Sequence, residues 1–188
     1  MKSVLISLLP KWCELIASGK KTVEVRKTRP KIATPFKCYI YQTKMKWAYT
    51  FLRTLKLHKL ADALVIGLGK VIGEFVCDAI YTIEKDYYGW FYGKGIESIG
   101  MGYAEEVDDL FHCIPDKELM KYLGSKVGYG WHISGLVIYD KPRELSEFKR
   151  ACPEYVYACA MCRHSDYTGM RCTPITRPPQ SWCYVEGE

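Results

Sequence analysis

Three charged residues close together near the N-terminus, Lys21, Glu24 and Arg26, have side chains that could hold a nucleotide. Lys and Arg bind phosphate oxygens, Arg through its two-pronged guanidinium, and a carboxylate accepts a hydrogen bond from an exocyclic amine such as that of cytosine. Glu24 and Arg26 are two residues apart and so share one face of a β-strand. The same spacing fits a solvated strand face with a surface ion pair, worth under about 1 kcal/mol. The group indicates either a nucleotide site or a plain ion pair.

Glu24 is better suited to accepting a hydrogen bond than to removing a proton. The charges of Lys21 and Arg26 favour its ionised form, which makes it a weak general base. Glu74 is a second carboxylate, on a predicted strand, and could face the same cleft or be an exposed strand residue. If the protein is an enzyme, we expect Lys21, Glu24 and Glu74 to be catalytic.

Aromatic rings are abundant, with 15 Tyr, 6 Phe and 5 Trp. Unpaired bases of single-stranded RNA commonly stack on such rings, although most of them belong in a core. The segment that ends the predicted strand 36–43 is the best loop candidate for contacting a ligand. Beyond the three charged residues, we predict a binding set of Lys11, Trp12, Gln42, Lys44 and Trp182.

Charge is unevenly distributed along the 188 residues, whose formal net charge is +6. Residues 1–60 hold 14 Lys and Arg against two acids, whereas residues 61–188 hold 13 against 19. A strongly basic part indicates a polyanionic partner, first nucleic acid and second an acidic membrane surface. Nine basic residues between Lys27 and Lys59 have no acid among them and could follow a phosphate backbone.

No apolar run approaches the roughly 20 residues that a membrane-spanning helix requires. The apolar stretch at residues 3–9 is too short for a signal peptide and lacks a small-residue cleavage site. We therefore expect a cytoplasmic protein with no membrane partner.

Five of the nine cysteines fall in the last 37 residues. Zinc requires four ligands in a tetrahedron, and a Cys-x-x-Cys pair such as Cys159 and Cys162 is a usual half-site. A structural zinc, an iron–sulfur cluster and reduced, unliganded thiols all remain open, and no cofactor is required for binding. The predicted zinc ligands are Cys152, Cys159, Cys162 and Cys172.

The elements that must position these residues are mainly short strands. Pro10 suits the first turn of a helix, and Gly19 suits the left-handed position that follows one. Apolar alternation and turn residues predict strands at 4–7, 22–26, 36–43, 71–83, 131–139 and 182–185. Helical spacing predicts helices at 10–17, 116–123 and 143–150, and less clearly at 44–60. Many short strands with one early helix favour a small, partly open barrel.

The segment Gly19-Lys20-Lys21-Thr22-Val23-Glu24-Val25-Arg26 fits the pattern Gly-x-Lys-x-x-Glu-x-Arg and follows a β-α opening. In this it resembles the ASCH family of the PUA-like superfamily. Supporting features are Pro10, the strands at 38–41 and 71–75, and the stretch 131–142. The resemblance covers residues 1–84 and 131–150.

The resemblance implies an α+β fold, a PUA-like partly open β-barrel with helices at its ends. Residues 1–150 would form the domain, with an α-containing insert at 85–130, and residues 151–188 a Cys-rich tail with a closing strand. It further implies that RNA or a modified nucleotide binds in a basic cleft between the first helix and the strand of Glu24.

Two alternatives to a binding module remain open. One is a hydrolase in the same cleft, either an amidohydrolase on acylated nucleosides or a ribonuclease. The acetylcytidine amidohydrolases resemble this chain at Lys21 and Glu74 but carry a Thr in place of Glu24, so binding is favoured over that chemistry. The other is an adaptor that uses the insert as its interface.

Overall fold

The computed structural model describes residues 2–44, 54, 68–85, 90–94, 112–151 and 174–187, with only the backbone described at 85 and 90–94. Two helices and nine strands are named along this part of the chain. The helices are α1 (Pro10–Ala17) and α2 (Asp116–Leu123). The strands are β1 (Lys2–Leu8), β2 (Val23–Arg26), β3 (Phe36–Gln42), β4 (Val71–Cys77), β5 (Ile80–Lys85), β6 (Trp90–Lys94), β7 (Gly128–His132), β8 (Ser134–Arg143) and β9 (Trp182–Glu186).

The described strands form two open sheets. One has the order β8-β4-β3-β1-β9 and the other the order β2-β7-β5-β6. The described residues are mostly β-strand with two helices, which is compatible with the predicted mixed α+β class. The predicted barrel is not seen closed in the part of the chain that the structure describes, because each sheet ends in two edge strands.

The chain divides into two compact units. The first unit comprises residues 1–13, 37–74 and 137–188, and the second comprises residues 14–36 and 75–136. In the first unit, β1 runs parallel to β3 and antiparallel to β9. Its core cluster is Leu5, Tyr39, Tyr41, Val71, Leu145, Phe148, Ile175 and Val185.

The second unit has a smaller core, in which α2 supplies two apolar residues four positions apart. Leu119 and Leu123 share one helix face and pack with Val25 and Ile83 of the four-stranded sheet. Strand β7 lies between β2 and β5 and is antiparallel to both. Strand β2, which bears Glu24 and Arg26, is therefore an edge strand of this sheet.

The β-α-β opening is as predicted. Helix α1 begins at Pro10, and Gly19 closes it with a φ of +73°, a conformation that glycine adopts without steric cost. Strand β9 and helix α2 also occur where the sequence predicts them.

Three predicted elements are wrong in detail. The predicted strand at 71–83 is two strands, because the chain leaves one sheet after Cys77 and enters the other at Ile80. The predicted strand at 131–139 likewise breaks between β7 and β8. The predicted helix at 143–150 is only a short 3-10 turn, Leu145–Glu147. Alternation of apolar residues cannot distinguish one long strand from two that join different sheets.

Some predictions lie outside the described residues or are untested. The helix predicted at 44–60 falls outside them, apart from Thr54, and so does most of the tail at 152–173. The division at residue 150 and the insert at 85–130 stay predictions, although β6 and helix α2 lie within that range. Among the described helices, none is long and apolar enough to cross a membrane.

Candidate functional site

Lys21, Glu24 and Arg26 form a buried charge cluster in the second unit. Glu24 Oε2 lies 3.3 Å from Lys21 Nζ, and Glu24 Oε1 lies 3.1 Å from Arg26 Nε. The three residues are only 1%, 5% and 7% exposed, respectively. A solvated strand face with a surface ion pair, the plain alternative left open by the sequence, does not fit this burial.

Backbone pairing positions the cluster. Strand β2 is antiparallel to β7, with Glu24 opposite Trp131 and Arg26 opposite Tyr129, so the paired side chains project from the same face of the sheet. Trp131 is fully buried and packs edge-to-face on Phe36, with 5.9 Å between ring centroids. The Glu24 carboxylate therefore lies on the same sheet face as the buried ring of Trp131.

Lys21 is held by the main chain on both sides. Its backbone N–H donates to the carbonyl of Leu15, 3.0 Å away, and its ammonium donates to the carbonyl of His112 at 2.6 Å. Burial lowers the pKa of Lys21, and the neighbouring carboxylate of Glu24 opposes this shift only in part. Among the described residues, two cations thus approach one carboxylate in a site with little water.

Residues 112–114 contact Lys20 and Lys21. Cys113 Sγ donates to the carbonyl of Lys20 at 3.1 Å, and the backbone N–H of Ile114 donates to His112 Nδ1 at 3.0 Å. Cys113 has a φ of +56°, which is uncommon for a residue other than glycine. Burial and, next, the charge of Lys21 lower the pKa of His112. Sequence reasoning missed this segment because its contact with Lys21 uses a main-chain carbonyl, which leaves no signal in residue type.

One carboxylate oxygen of the cluster has an incomplete set of partners. Glu24 Oε2 is buried, and within the described part of the chain it accepts no hydrogen bond. It forms an ion pair with Lys21 Nζ at 3.3 Å. A buried carboxylate oxygen without a donor is uncommon and calls for a physical explanation.

Solved structures place this fold among known ones. The structure is similar to the crystal structure of ASCH from Zymomonas mobilis at 17% sequence identity and a TM-score of 0.54, over 98% of this chain and 87% of that chain. It is also similar to a serine-to-alanine mutant of that protein at 17% identity and a TM-score of 0.52, over 98% and 88% of the two chains. The chain has the ASCH fold. No family model and no curated protein matches it.

The ASCH fold confirms the resemblance that the Gly-x-Lys-x-x-Glu-x-Arg pattern indicated. In this chain the fold brings together the three charged residues of that pattern. At this level of identity the match concerns the fold, so the roles of individual residues rest on their own geometry.

Glu74, the other predicted carboxylate, lies in the first unit and has its own partners. Its Oε1 is 2.8 Å from Lys37 Nζ, and its Oε2 accepts a hydrogen bond from the Tyr139 hydroxyl at 2.5 Å. Burial tends to raise the pKa of Glu74, but the bonds from Lys37 and Tyr139 outweigh it and lower that pKa. Its place beside Lys21 and Glu24 as a catalytic residue stays a prediction.

The other predicted binding residues also belong to the first unit. Lys11 Nζ lies 4.4 Å from the centroid of the Trp12 ring. Trp182 packs edge-to-face on Tyr184 at 5.3 Å. Gln42 is bonded through its backbone to Gly69 and Lys70, and Lys44 is exposed. Their part in a common site with the charge cluster stays a prediction.

The four predicted zinc ligands, Cys152, Cys159, Cys162 and Cys172, lie outside the described residues. In the part that the structure does describe, no group of three or more His, Cys, Asp or Glu side chains is placed to hold a metal ion. Five described cysteines, Cys13, Cys38, Cys77, Cys113 and Cys183, are free thiols. The zinc site therefore stays a prediction.

A histidine–carboxylate pair lies near the end of the same sheet. His132 Nδ1 and Asp78 Oδ1 are 2.6 Å apart. His132 is opposite Val23 in the register of β2 and β7, whereas Glu24 is opposite the next residue, Trp131. Since side chains alternate along a strand, His132 and Glu24 project from opposite faces, so His132 is not the base of the charge cluster.

Proposed function

We propose that the cluster of Lys21, Glu24 and Arg26 binds a nucleotide of RNA. Glu24 accepts a hydrogen bond from the exocyclic amine of the base, and the two cations hold oxygens of the ligand. The observation that carries the proposal is the buried Oε2 of Glu24, which accepts no hydrogen bond from the described residues. A base amine supplies the missing donor, and leaving a buried acceptor unsatisfied costs about 1–3 kcal/mol.

The two cations of the cluster support an anionic ligand. Lys21 and Arg26 both approach the carboxylate of Glu24, and ammonium and guanidinium groups form strong charge-assisted hydrogen bonds with phosphate oxygens. The carboxylate gives the site a preference among bases. Phosphate attraction alone would not require an acid at the centre.

The His112 carbonyl occupies the position where a ligand oxygen would meet Lys21. It lies 2.6 Å from the ammonium, which is the distance of a strong charge-assisted hydrogen bond. A nucleotide reaches Lys21 by displacing this carbonyl. An oxygen of the nucleotide then accepts the hydrogen bond of Lys21 Nζ in place of the His112 carbonyl oxygen. The segment at 112–114 is therefore the entrance of the proposed site.

Binding is a better proposal than hydrolysis. Glu74, which the hydrolase alternative requires, already pairs with Lys37 and Tyr139. Glu24 itself is already engaged by two cations, Lys21 and Arg26. A nucleotide-binding site needs neither a proton acceptor nor a nucleophile here.

The test is calorimetric titration with cytidine monophosphate and uridine monophosphate, which differ in the exocyclic amine. We expect cytidine monophosphate to bind about tenfold more tightly, since a good base contact discriminates by about 1–3 kcal/mol. Glu24→Gln should remove this preference, because an amide presents both a donor and an acceptor. Glu118→Gln, an exposed change of the same kind, is the matched control. Equal binding of the two nucleotides, or a preference that survives Glu24→Gln, would overturn the proposal.

A further inference from the structure

Three residues that precede helix α2 connect the core of the second unit to the buried ammonium of Lys21, and we call them the strap: His112, Cys113 and Ile114. One end of the strap is anchored, because Ile114 packs against the core cluster on which α2 lies. The other end carries the carbonyl of His112, which accepts a hydrogen bond from Lys21 Nζ at 2.6 Å. The strap and Lys21 belong to the same unit.

The strap places an acceptor of the protein itself on the proposed nucleotide site. An ammonium that is removed from water is costly unless it donates hydrogen bonds to other acceptors. The His112 carbonyl is one such acceptor, and a ligand oxygen would bond to the same ammonium. The strap and a nucleotide therefore compete for Lys21.

Backbone strain in the strap is located at Cys113, whose φ is +56°. In this left-handed region the Cβ of a residue other than glycine approaches a carbonyl oxygen, which costs free energy. Two hydrogen bonds offset the cost in the observed position, one from Cys113 Sγ to the Lys20 carbonyl at 3.1 Å and the other from Lys21 to His112.

The strain lies at the bond that would move the His112 carbonyl. This carbonyl belongs to the peptide group bonded to the nitrogen of Cys113, so rotation about the N–Cα bond of Cys113 turns it. A change of φ to an ordinary negative value would release the strain and remove the carbonyl from Lys21, while Ile114 stays in the core.

We propose that the strap is an autoinhibitory contact with two positions and that Cys113 is its pivot. The strap is closed on Lys21 in this structure and open when a nucleotide occupies the site. The inference rests on the proposed function and names the regulation of that site. Cys113 is a positioning residue, which acts on binding through the His112 carbonyl. The apparent affinity is the intrinsic affinity multiplied by the open fraction of the protein, so a change that closes the strap weakens binding.

Two substitutions at Cys113 separate the thiol hydrogen bond from the strain. Cys113→Ala removes the bond to the Lys20 carbonyl and keeps the strain, so cytidine monophosphate should bind about threefold more tightly than to the wild type. Cys113→Gly removes both, because glycine adopts a positive φ without steric cost. It closes the strap again and should bind about fivefold less tightly than Cys113→Ala. Calorimetric titration measures these affinities.

Amide hydrogen exchange of Ile114, followed by NMR without ligand, measures strap opening directly. In the closed position this N–H donates to His112 Nδ1 at 3.0 Å, and opening exposes it to water. We expect faster exchange in Cys113→Ala than in the wild type, and slower exchange in Cys113→Gly than in Cys113→Ala. Cys113→Ala should also lower the free energy of unfolding while it tightens nucleotide binding, whereas a merely structural defect would weaken both.

Gly124→Ala is the matched control, since it introduces strain of the same kind after α2. Gly124 has a φ of +64°, and an added Cβ meets no described atom within 4 Å. The variant should lose stability, because alanine is strained at a positive φ, and should keep its affinity for cytidine monophosphate within about twofold of the wild type.

Equal binding of cytidine monophosphate by the wild type and both Cys113 variants would show that the strap does not compete, while the nucleotide site stands. Affinities that do not follow the exchange rate of Ile114 would lead to the same conclusion. If instead Glu24→Gln leaves the preference for cytidine monophosphate intact, the nucleotide site itself is wrong, whatever the exchange of Ile114 shows.

Discussion

Lys21 keeps its ammonium where little water reaches it, between the carboxylate of Glu24 and the carbonyl of His112. Its pattern in the sequence is visible, because a lysine, a glutamate and an arginine at this spacing stand beside a helix end. Its burial is not visible, since the alternation of Val23 and Val25 with Glu24 and Arg26 is typical of a half-solvated strand, whereas all four residues of β2 are buried. The sequence thus indicates which side chains belong to the cluster but not that the main chain at His112 closes it.

Lys21→Met tests the cost of that buried charge. The folded pKa of Lys21 is lowered from 10.5 by burial, so the unfolded chain holds this proton more tightly than the folded protein does. The free energy of unfolding of the wild type should therefore rise, relative to Lys21→Met, as the pH increases from the lowered pKa towards 10.5. Denaturant titrations of both proteins over this alkaline range measure the difference. A difference that stays constant with pH would show that the pKa of Lys21 is not lowered.

Tyr139→Phe tests the separate group around Glu74. The variant removes the hydroxyl that donates to Glu74 Oε2 at 2.5 Å, and we expect a loss of about 1–2 kcal/mol in the free energy of unfolding at pH 7. The folded pKa of Glu74 is lowered from 4.5, so this stabilisation is present above 4.5 and is lost as the pH falls through the folded pKa.

Tyr122→Phe, at an exposed tyrosine, is the control and should change stability by less than about 0.5 kcal/mol. Chemical denaturation at pH 7 and near pH 3 measures both effects. If Tyr139→Phe costs as much at pH 3 as at pH 7, the bond to ionised Glu74 is not the cause.

At the scale of elements, β2 and β7 place the cluster through their register, and Gly130 allows them to pack closely. An added Cβ at Gly130 would lie 2.8 Å from Val23 Cγ1, which is closer than side-chain carbons approach. Gly130 faces Val25 across the strand pair, in the row of residues that packs on α2. The absence of a side chain at Gly130 therefore allows the close packing of β7 against Val23 of β2.

Gly130→Ala should lower the free energy of unfolding by about 1–3 kcal/mol through this overpacking. Val23→Ala removes the atom that the new methyl group would strike, so the double variant should lose less than the sum of the two single losses. Thermal and denaturant unfolding of the four proteins measures this coupling. Strictly additive losses would mean that the strands adjust without contact between these two residues.

The Cys-rich tail carries the zinc prediction. If Cys152, Cys159, Cys162 and Cys172 bind a structural zinc, purified protein should contain one zinc ion per chain, and a chelator should lower its melting temperature. Cys159→Ser should lose the metal, whereas Cys183→Ser, in strand β9, should keep it. Protein without stoichiometric zinc, or a melting temperature insensitive to chelator, would contradict the prediction.

Local patterns predicted the elements that depend on local residues, and missed those that depend on distant ones. Pro10 and Gly19 bracket a helix because of backbone preferences that act within a few residues. The break between Cys77 and Ile80 depends instead on which sheet each half of the segment joins. The pairing of Arg26 with Tyr129 depends on a register between strands about 100 residues apart, so the surroundings of Arg26 could not be predicted from local patterns.

For the whole molecule, the charge distribution follows the order of the sequence. Residues 1–60 hold 14 basic residues against two acids, and these residues are divided between the two units. Lys21 and Arg26 of this set lie in the charge cluster, and most of the acids lie in residues 61–188. A polyanionic partner for the basic part stays a prediction.

The most direct measurement is a crystal structure of the protein soaked with cytidine monophosphate. We expect the cytosine amine within hydrogen-bond distance of Glu24 Oε2, a ligand oxygen on Lys21 Nζ, and the His112 carbonyl displaced from its present distance of 2.6 Å. A nucleotide bound elsewhere on the molecule, with the contact between Lys21 and His112 unchanged, would contradict it.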